Sequence, residues 1–156
     1  MPWAFFDGAA RGEPVRCGGG ILLHFDSENF IHISVGFVSG TNNYAETSAL
    51  RLLLIKALEW GIRSIQIFGD SKLTINWEND THQCSILRLR PILNEIFLLQ
   101  QHFNFVSFTH VYRERNDTAD RLSKAGAQLE EGEETAKSFL RDEGRFYHRP
   151  FREDKQ

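Results

Sequence analysis

The sequence predicts one α/β domain on a mixed five-stranded sheet, three antiparallel strands followed by two parallel ones, with helices on both faces. Three observations predict it. Short apolar runs divided by turn residues open the chain, a long segment of helical periodicity ends at a glycine, and strand and helix patterns alternate from there to about residue 129. A chain of 156 residues, 41% hydrophobic and 25% charged, buries roughly two thirds of the surface its unfolded form exposes, so its core needs neither disulfides nor structural metal.

The elements follow in order. Trp3 to Phe6 is apolar on both alternating faces and stops at Asp7-Gly8, as a central strand ending in a turn would. Gly18-Gly19-Gly20 opens a second strand, Ile21 to Phe25. The turn residues Asp26-Ser27-Glu28-Asn29 lead to a third, Phe30 to Val38, and the short connections make an antiparallel meander. Asn43 to Trp60 is apolar on nearly every side with Gly61 as its stop, the pattern of a long helix packed on a sheet. A strand at Ser64 to Phe68, helices at about Ser71 to Glu78 and Ile86 to Gln101, a strand at Val106 to Tyr112 and a helix from Asn116 to about Leu129 complete the series.

Composition excludes several classes. The longest apolar stretch, Ala49 to Leu58, is interrupted by Arg51 and Lys56, and the N-terminus lacks the layout of a signal peptide, so no membrane role is expected. Cys17 and Cys84 lack metal-ligand spacing and read as free thiols in a reducing intracellular compartment, nuclear or cytoplasmic. His24, His32, His82, His110 and His148 have no partner at zinc-ligand spacing. The net charge of −3 argues against a grip on nucleic acid through bulk electrostatics.

Four acids stand where elements begin or end: Asp7 after the first strand, Glu46 in the first turn of the long helix, Asp70 after the fourth strand and Asp120 in the last helix. Each has an ordinary explanation. Asp7-Gly8 suits a turn, Asn43 with Glu46 a capping box, Asp70 a helix cap, and Asp120 a favourable charge at a helix start. Their joint placement points elsewhere, because the carboxyl ends of strands and the adjoining helix starts form the ligand crevice of open α/β sheets. Glu46 also shares a stripe with Leu50, Leu53, Leu54 and Ala57, which turns it toward the sheet. Periodicity leaves the face of Asp120 open. Converging carboxylates repel unless a hard cation lies among them, and oxygen-only ligation favours Mg²⁺ or Mn²⁺ in a two-metal phosphoryl-transfer site.

Phe5-Phe6-Asp7-Gly8-Ala9, Thr41 through Glu46, Phe68-Gly69-Asp70-Ser71, and Arg113-Glu114-Arg115-Asn116 through Ala119-Asp120 together resemble the four motifs of the type 1 ribonuclease H family, in family order. The resemblance spans residues 3 to about 127. It implies a ribonuclease H-like fold and an endonuclease hydrolysing the RNA strand of RNA/DNA hybrids with two Mg²⁺ ions, Mn²⁺ able to substitute. It implies Asp7, Glu46, Asp70 and Asp120 as catalytic metal ligands, with Asp7 bridging both ions. Asn42 and Asn43 match the positions that meet RNA 2′-hydroxyls, Lys72 a position that contacts RNA, and Arg113 and Arg115 stand near Asp120 where they would meet a phosphate.

Only seven residues separate Glu78 from Ile86, too few for the basic protrusion of bacterial and vertebrate enzymes, and His110 to Asn116 lacks their histidine-bearing loop. Both gaps resemble the archaeal-like subgroup, also found in plant long interspersed retrotransposons. A start close to the first strand is what a domain excised from a longer polyprotein with a reverse transcriptase would have, acting as a monomer. The competing readings are an integrase-like or exonuclease domain of the same fold, and a non-catalytic nucleic-acid-binding relic. The catalytic domain is expected over residues 1–128. Residues 129–156 form a tail in which Arg141, Arg145, Phe146, Tyr147, His148, Arg149, Phe151 and Arg152 interleave cations and rings, a pattern that admits stacking on single-stranded nucleic acid and is read as a segment packed along the domain or mobile.

Overall fold

The computed structural model describes residues 1–79 and 84–151, which leaves His82 and Arg152 outside the described residues. Its strands are β1 (Trp3–Arg11), β2 (Arg16–His24), β3 (Phe30–Phe37), β4 (Ser64–Gly69), β5 (Phe105–His110) and β6 (Glu134–Phe139). Its helices are α1 (Asn42–Glu59), α2 (Lys72–Glu78), α3 (Arg90–Gln100) and α4 (Asp117–Gly126), with 3₁₀ turns at Leu87–Leu89, Arg113–Arg115 and Glu143–Arg145. The sheet runs β5-β4-β1-β2-β3-β6. β1, β2, β3 and β6 pair antiparallel, while β4 pairs parallel with β1 and β5 parallel with β4. No helix among the described residues is long and apolar enough to cross a membrane, and both cysteines are free thiols.

Two features depart from the expected sheet. It has six strands and not five, because Glu134–Phe139 pairs with β3 from Val35↔Glu134 to Phe30↔Phe139. Every β6 side chain except Phe139 is exposed, so no apolar alternation announces the strand. What recruits it is the backbone edge of β3, which would otherwise present unpaired donors and acceptors. The second correction concerns β1, which does not end at Phe6 but runs on to Arg11, with Asp7 inside the strand opposite Gly20. Asp7-Gly8 resembles a turn in sequence, yet Gly8 pairs with Gly19 and Ala9 with Gly18. The glycine run lies inside β2, whose first residue is Arg16.

The core fills the space between the sheet and α1. Phe6, Ile21, Leu23, Ile31, Ile33, Ile65 and Ile67 from the strands meet Leu50, Leu53 and Leu54 of α1, all fully buried or within 2% of it. Each contributes about 1.5–3 kcal/mol relative to an exposed position. Thr41 caps α1 by accepting from Tyr44 N at 3.1 Å. The helix thus starts one residue before the expected Asn43, which caps nothing.

Glycines set the helix-to-sheet distance on both faces. A Cβ on Gly8 would lie 2.2 Å from Glu46 N in α1. On the opposite face a Cβ on Gly18 would lie 2.1 Å from Ala127 N and one on Gly20 2.3 Å from Ala119 O in α4. These are backbone atoms that cannot turn aside. Gly20→Ala is therefore expected to destabilise the protein by about 1–3 kcal/mol in urea denaturation. Gly144→Ala, whose methyl would meet nothing nearer than 3.7 Å, should stay within about 0.5 kcal/mol of wild type. Equal effects of the two substitutions would contradict the close-approach account.

Candidate active site

The four acids reach one cleft by four different routes. Asp7 projects from the middle of β1, and its Oδ1 accepts from Gly8 N at 2.9 Å. Glu46 sits in the second turn of α1, not the first, on the face that buries Leu50, Leu53 and Leu54. Asp70 follows the last residue of β4, and Asp120 lies in the first turn of α4. Caps compete for none of them. Thr41 caps α1, and Ser71 caps α2 by accepting from Thr74 N at 3.2 Å, so neither Glu46 nor Asp70 is spent on a helix end.

One carboxylate oxygen each of Asp7, Glu46 and Asp70 lie within 4.8 Å of one another. Asp120 lines the same open cleft of about 210 Å³, together with Asn42, Arg113, Arg11 and Lys124. Asn42 Nδ2 donates to Glu46 Oε1 at 3.1 Å. Asn116, 1% exposed, donates from Nδ2 to Phe6 O at 2.9 Å, which ties the start of α4 to β1 and holds Asp120 beside Asp7.

Asp7 and Glu46 are each 6% exposed, and their titration reflects it. Burial, then the charges of Asp70 and Glu46, push the Asp7 carboxyl up to about 8; Asp120 adds to the push and the Gly8 N–H opposes it. Burial pushes Glu46 up to about 7, with Asp70 adding to it and Ser71, Arg113 and Asn42 pulling back. Glu46 Oε2 and Asp70 Oδ2 are buried without a hydrogen-bond partner. Buried acceptors without donors are costly. An all-oxygen set of crowded carboxylates with unfilled lone pairs fits a hard divalent cation.

The other expected site residues divide. Asn42 and Arg113 line the cleft. Asn43 is half-buried, and its carbonyl accepts from Thr47 Oγ1 at 2.7 Å. Lys72 is exposed on the first turn of α2 and Arg115 lines a neighbouring cleft with Phe5, Leu22 and Ala119; neither lines the acidic one. His24, His32, His110 and His148 stand outside it. Two cations were missed in the sequence. Lys124 Nζ lies 3.0 Å from Asp120 Oδ2, a pair detectable as Asp and Lys four residues apart on a helix. Arg11 could not be found while the first strand was read as ending at Phe6.

The model of the reverse transcriptase-like family matches residues 5–126. Ribonuclease HI of Halobacterium salinarum is 35% identical over 127 residues, covering 77% of this chain and 61% of that protein. The chain thus spans about three fifths of that relative's length. The crystal structure of RNase H1 from the same archaeon superposes with a TM-score of 0.76 at 30% identity, covering 81% of this chain and 97% of that one. LC11-RNase H1, solved in complex with an RNA/DNA hybrid, shares the fold with a TM-score of 0.74 at 22% identity, covering 82% and 97% of the two chains.

The raised carboxyls fix the sign of a stability effect. Asp7 and Glu46 hold protons in the folded state at pH values where the unfolded chain, with ordinary values of 3.8 and 4.5, releases them. Their contribution is complete below about pH 4 and is lost as pH rises through about 7 to 8. In chelator, the melting temperature of Asp7→Asn should exceed that of wild type by a margin that widens from pH 5 to pH 8, reaching at least about 3 °C. A margin constant with pH in calorimetry would contradict the assignment.

Proposed function

The chain belongs to the reverse transcriptase-like, type 1 ribonuclease H family, and from that premise we propose that it is an endonuclease hydrolysing the RNA strand of RNA/DNA hybrids. The observation that carries this reading is the meeting of Asp7, Glu46 and Asp70 within 4.8 Å with two buried oxygens left unpaired. The hybrid held by LC11-RNase H1 supports the substrate class. We assign catalysis to residues 1–128 and treat residues 129–156 as an appended segment. The direct passage from β5 through the turn Arg113–Arg115 into α4, with no inserted loop, supports a retrotransposon-derived domain, monomeric within a longer polyprotein beside a reverse transcriptase.

Asp7, Glu46, Asp70 and Asp120 would hold two Mg²⁺ ions, or Mn²⁺ in their place. Bound there, such cations activate water and stabilise the attacking and leaving oxygens of an in-line displacement. Water adds across the P–O3′ bond, which leaves a 3′-hydroxyl on one product and a 5′-phosphate on the other. The protein's own groups prepare this. The Gly8 N–H and the Asn42 amide occupy one oxygen each of Asp7 and Glu46, fixing both carboxylates and leaving the others free to ligate. Asn42 and Asn43, at the start of α1, read the 2′-hydroxyls that separate RNA from DNA. Arg113, at the cleft wall, meets the phosphate, while Lys72 and Arg115 reach phosphates further along the strand. Lys124 holds Asp120 in place through their 3.0 Å ion pair.

Asp70→Asn is expected to lower cleavage of a labelled RNA/DNA hybrid at least about a hundredfold without lowering the melting temperature, and excess chelator should abolish it in wild type. Full activity in either condition would remove the metal-site assignment. The double variant Asn42→Ala/Asn43→Ala should lose hybrid cleavage about tenfold or more, a loss of about 1.4 kcal/mol in transition-state binding, while a DNA/DNA duplex stays uncut by wild type. Equal cutting of the two duplexes would refute the substrate.

A further inference from the structure

The far end of α1 carries a second cleft that the acids do not explain. Glu46 and Glu59 are thirteen residues apart on one helix, about 20 Å at 1.5 Å per residue. Beyond Glu59 the segment Arg145–Phe151 returns across this end of the molecule and encloses, with Trp60, Arg63 and His102, an open cleft of about 610 Å³.

Glu59 fastens the segment. Its carbonyl accepts from Arg149 N at 2.8 Å and its Oε2 from Phe151 N at 3.2 Å. Its Oε1 lies 3.2 Å from His148 Nε2 and 3.4 Å from Lys56 Nζ. Rings complete the attachment. Phe146 stacks on Phe25 at 4.4 Å, His148 packs 5.0 Å from Trp60, and Phe151 meets His102 edge-on at 5.1 Å.

The residues between these anchors are left for something else. Phe146 and His148 are spent on attachment, while Arg145, Tyr147 and Arg149 alternate with them and are exposed, Tyr147 at 71%. Arg145 pairs with Asp26 at 3.5 Å. Arg149 and Arg63 form no ion pair among the described residues, and Arg63 uses Nη1 alone to hold Leu58 O and Ile62 O. Of the three guanidinium groups that line the cleft, Arg145 is thus engaged with Asp26 and lies over the Phe146 ring, which leaves Arg149 and Arg63 beside a cleft whose one carboxylate among the described residues, Glu59, is already engaged, in a chain of net charge −3. A ring open to stacking between cations fits a base flanked by phosphates.

We propose that Arg63 and the segment Arg145–Arg149 form a subsite for single-stranded nucleic acid. It takes one base on Tyr147 and the adjoining phosphates on Arg149 and Arg63, and so holds the unpaired strand that extends from a duplex seated about 20 Å away over the acids. The proposal rests on the hybrid-cleaving reading for its class of ligand. Its test does not use cleavage, so the two fail separately.

The measurement is fluorescence anisotropy of the full chain with a labelled oligothymidylate, in chelator, across a salt series. Tyr147→Ala should weaken binding fivefold or more, and Tyr147→Phe should restore it. Arg149→Ala should weaken binding and reduce the slope of log affinity against log salt by about 0.7, the value for one contact on a single strand. Thermal melts check that the variants fold, as substitution of exposed side chains predicts. Unchanged affinity and slope in Tyr147→Ala and Arg149→Ala overturns the proposal. So does displacement of the oligonucleotide by an equal concentration of inorganic phosphate, which would make the cleft a simple anion site.

Discussion

Contact between helix backbone and strand backbone, made where β1 and β2 carry no side chain, is the constraint on which the rest of the molecule depends. Gly8 admits α1 to one face of the sheet, and Gly18 and Gly20 admit α4 to the other. Asp7 lies next to Gly8 and opposite Gly20. One approach on each face, at Gly8 and at Gly20, therefore lies beside the residue at the centre of the acidic cluster, bringing Glu46 from one helix and Asp120 from the other. Close-packed interiors do not absorb displacements of an ångström. A methyl at any of these positions would thus move a carboxylate as well as a helix. Asn116, bonded to Phe6 O at 2.9 Å, adds a polar tie that keeps α4 in register with β1.

This closeness sets stability against function. The apolar packing that fixes α1 also removes water from Glu46 and Asp7, so the free protein holds like charges together at low dielectric. Protonation relieves the strain in one direction and cation binding in the other. A set of carboxyls that holds protons near neutral pH has the chemistry of the divalent-cation site proposed above, and any ion that binds only the folded form stabilises that form by mass action. The burial that makes the carboxylates expensive also makes them useful.

α1 connects the two ends of the molecule as a rigid spacer. Its first turns present Glu46 among acids, and its last turn presents Glu59 to a segment rich in arginine and aromatic rings. Glu59 and the Lys56 beside it are consumed by internal contacts, Lys56 also pairing with Glu134 of β6 at 2.8 Å. Lys56 thus reaches the sixth strand, and its neighbour Glu59 holds the returning segment. Of the residues following α4, Leu129 to Glu133 contact Arg16 and Gly36 at the other end of the sheet, and Arg145 to Phe151 lie against Glu59.

Local chemistry was legible in the sequence. Strand and helix order follows from hydrophobic periodicity, which depends on residues a few positions apart, and the buried stripe of α1 fixes the face of Glu46. Motif order marked all four acids, and Asn42 and Arg113 with them. Whatever depends on partners distant in sequence was decided only by the tertiary structure. Asp7-Gly8 became mid-strand because its partners are the glycines of β2, and Glu134–Phe139 became a strand because β3 had an open edge. The face of Asp120, which periodicity left open, was chosen by α4 docking over Gly18 and Gly20 and by the tie at Asn116. The capping alternatives for Glu46 and Asp70 ended when Thr41 and Ser71 took the helix ends, and Arg11 entered the site only through the extension of β1. Periodicity specifies which side chains a segment buries; which segments then meet depends on backbone pairing and excluded volume between parts of the chain whose separation no local pattern records.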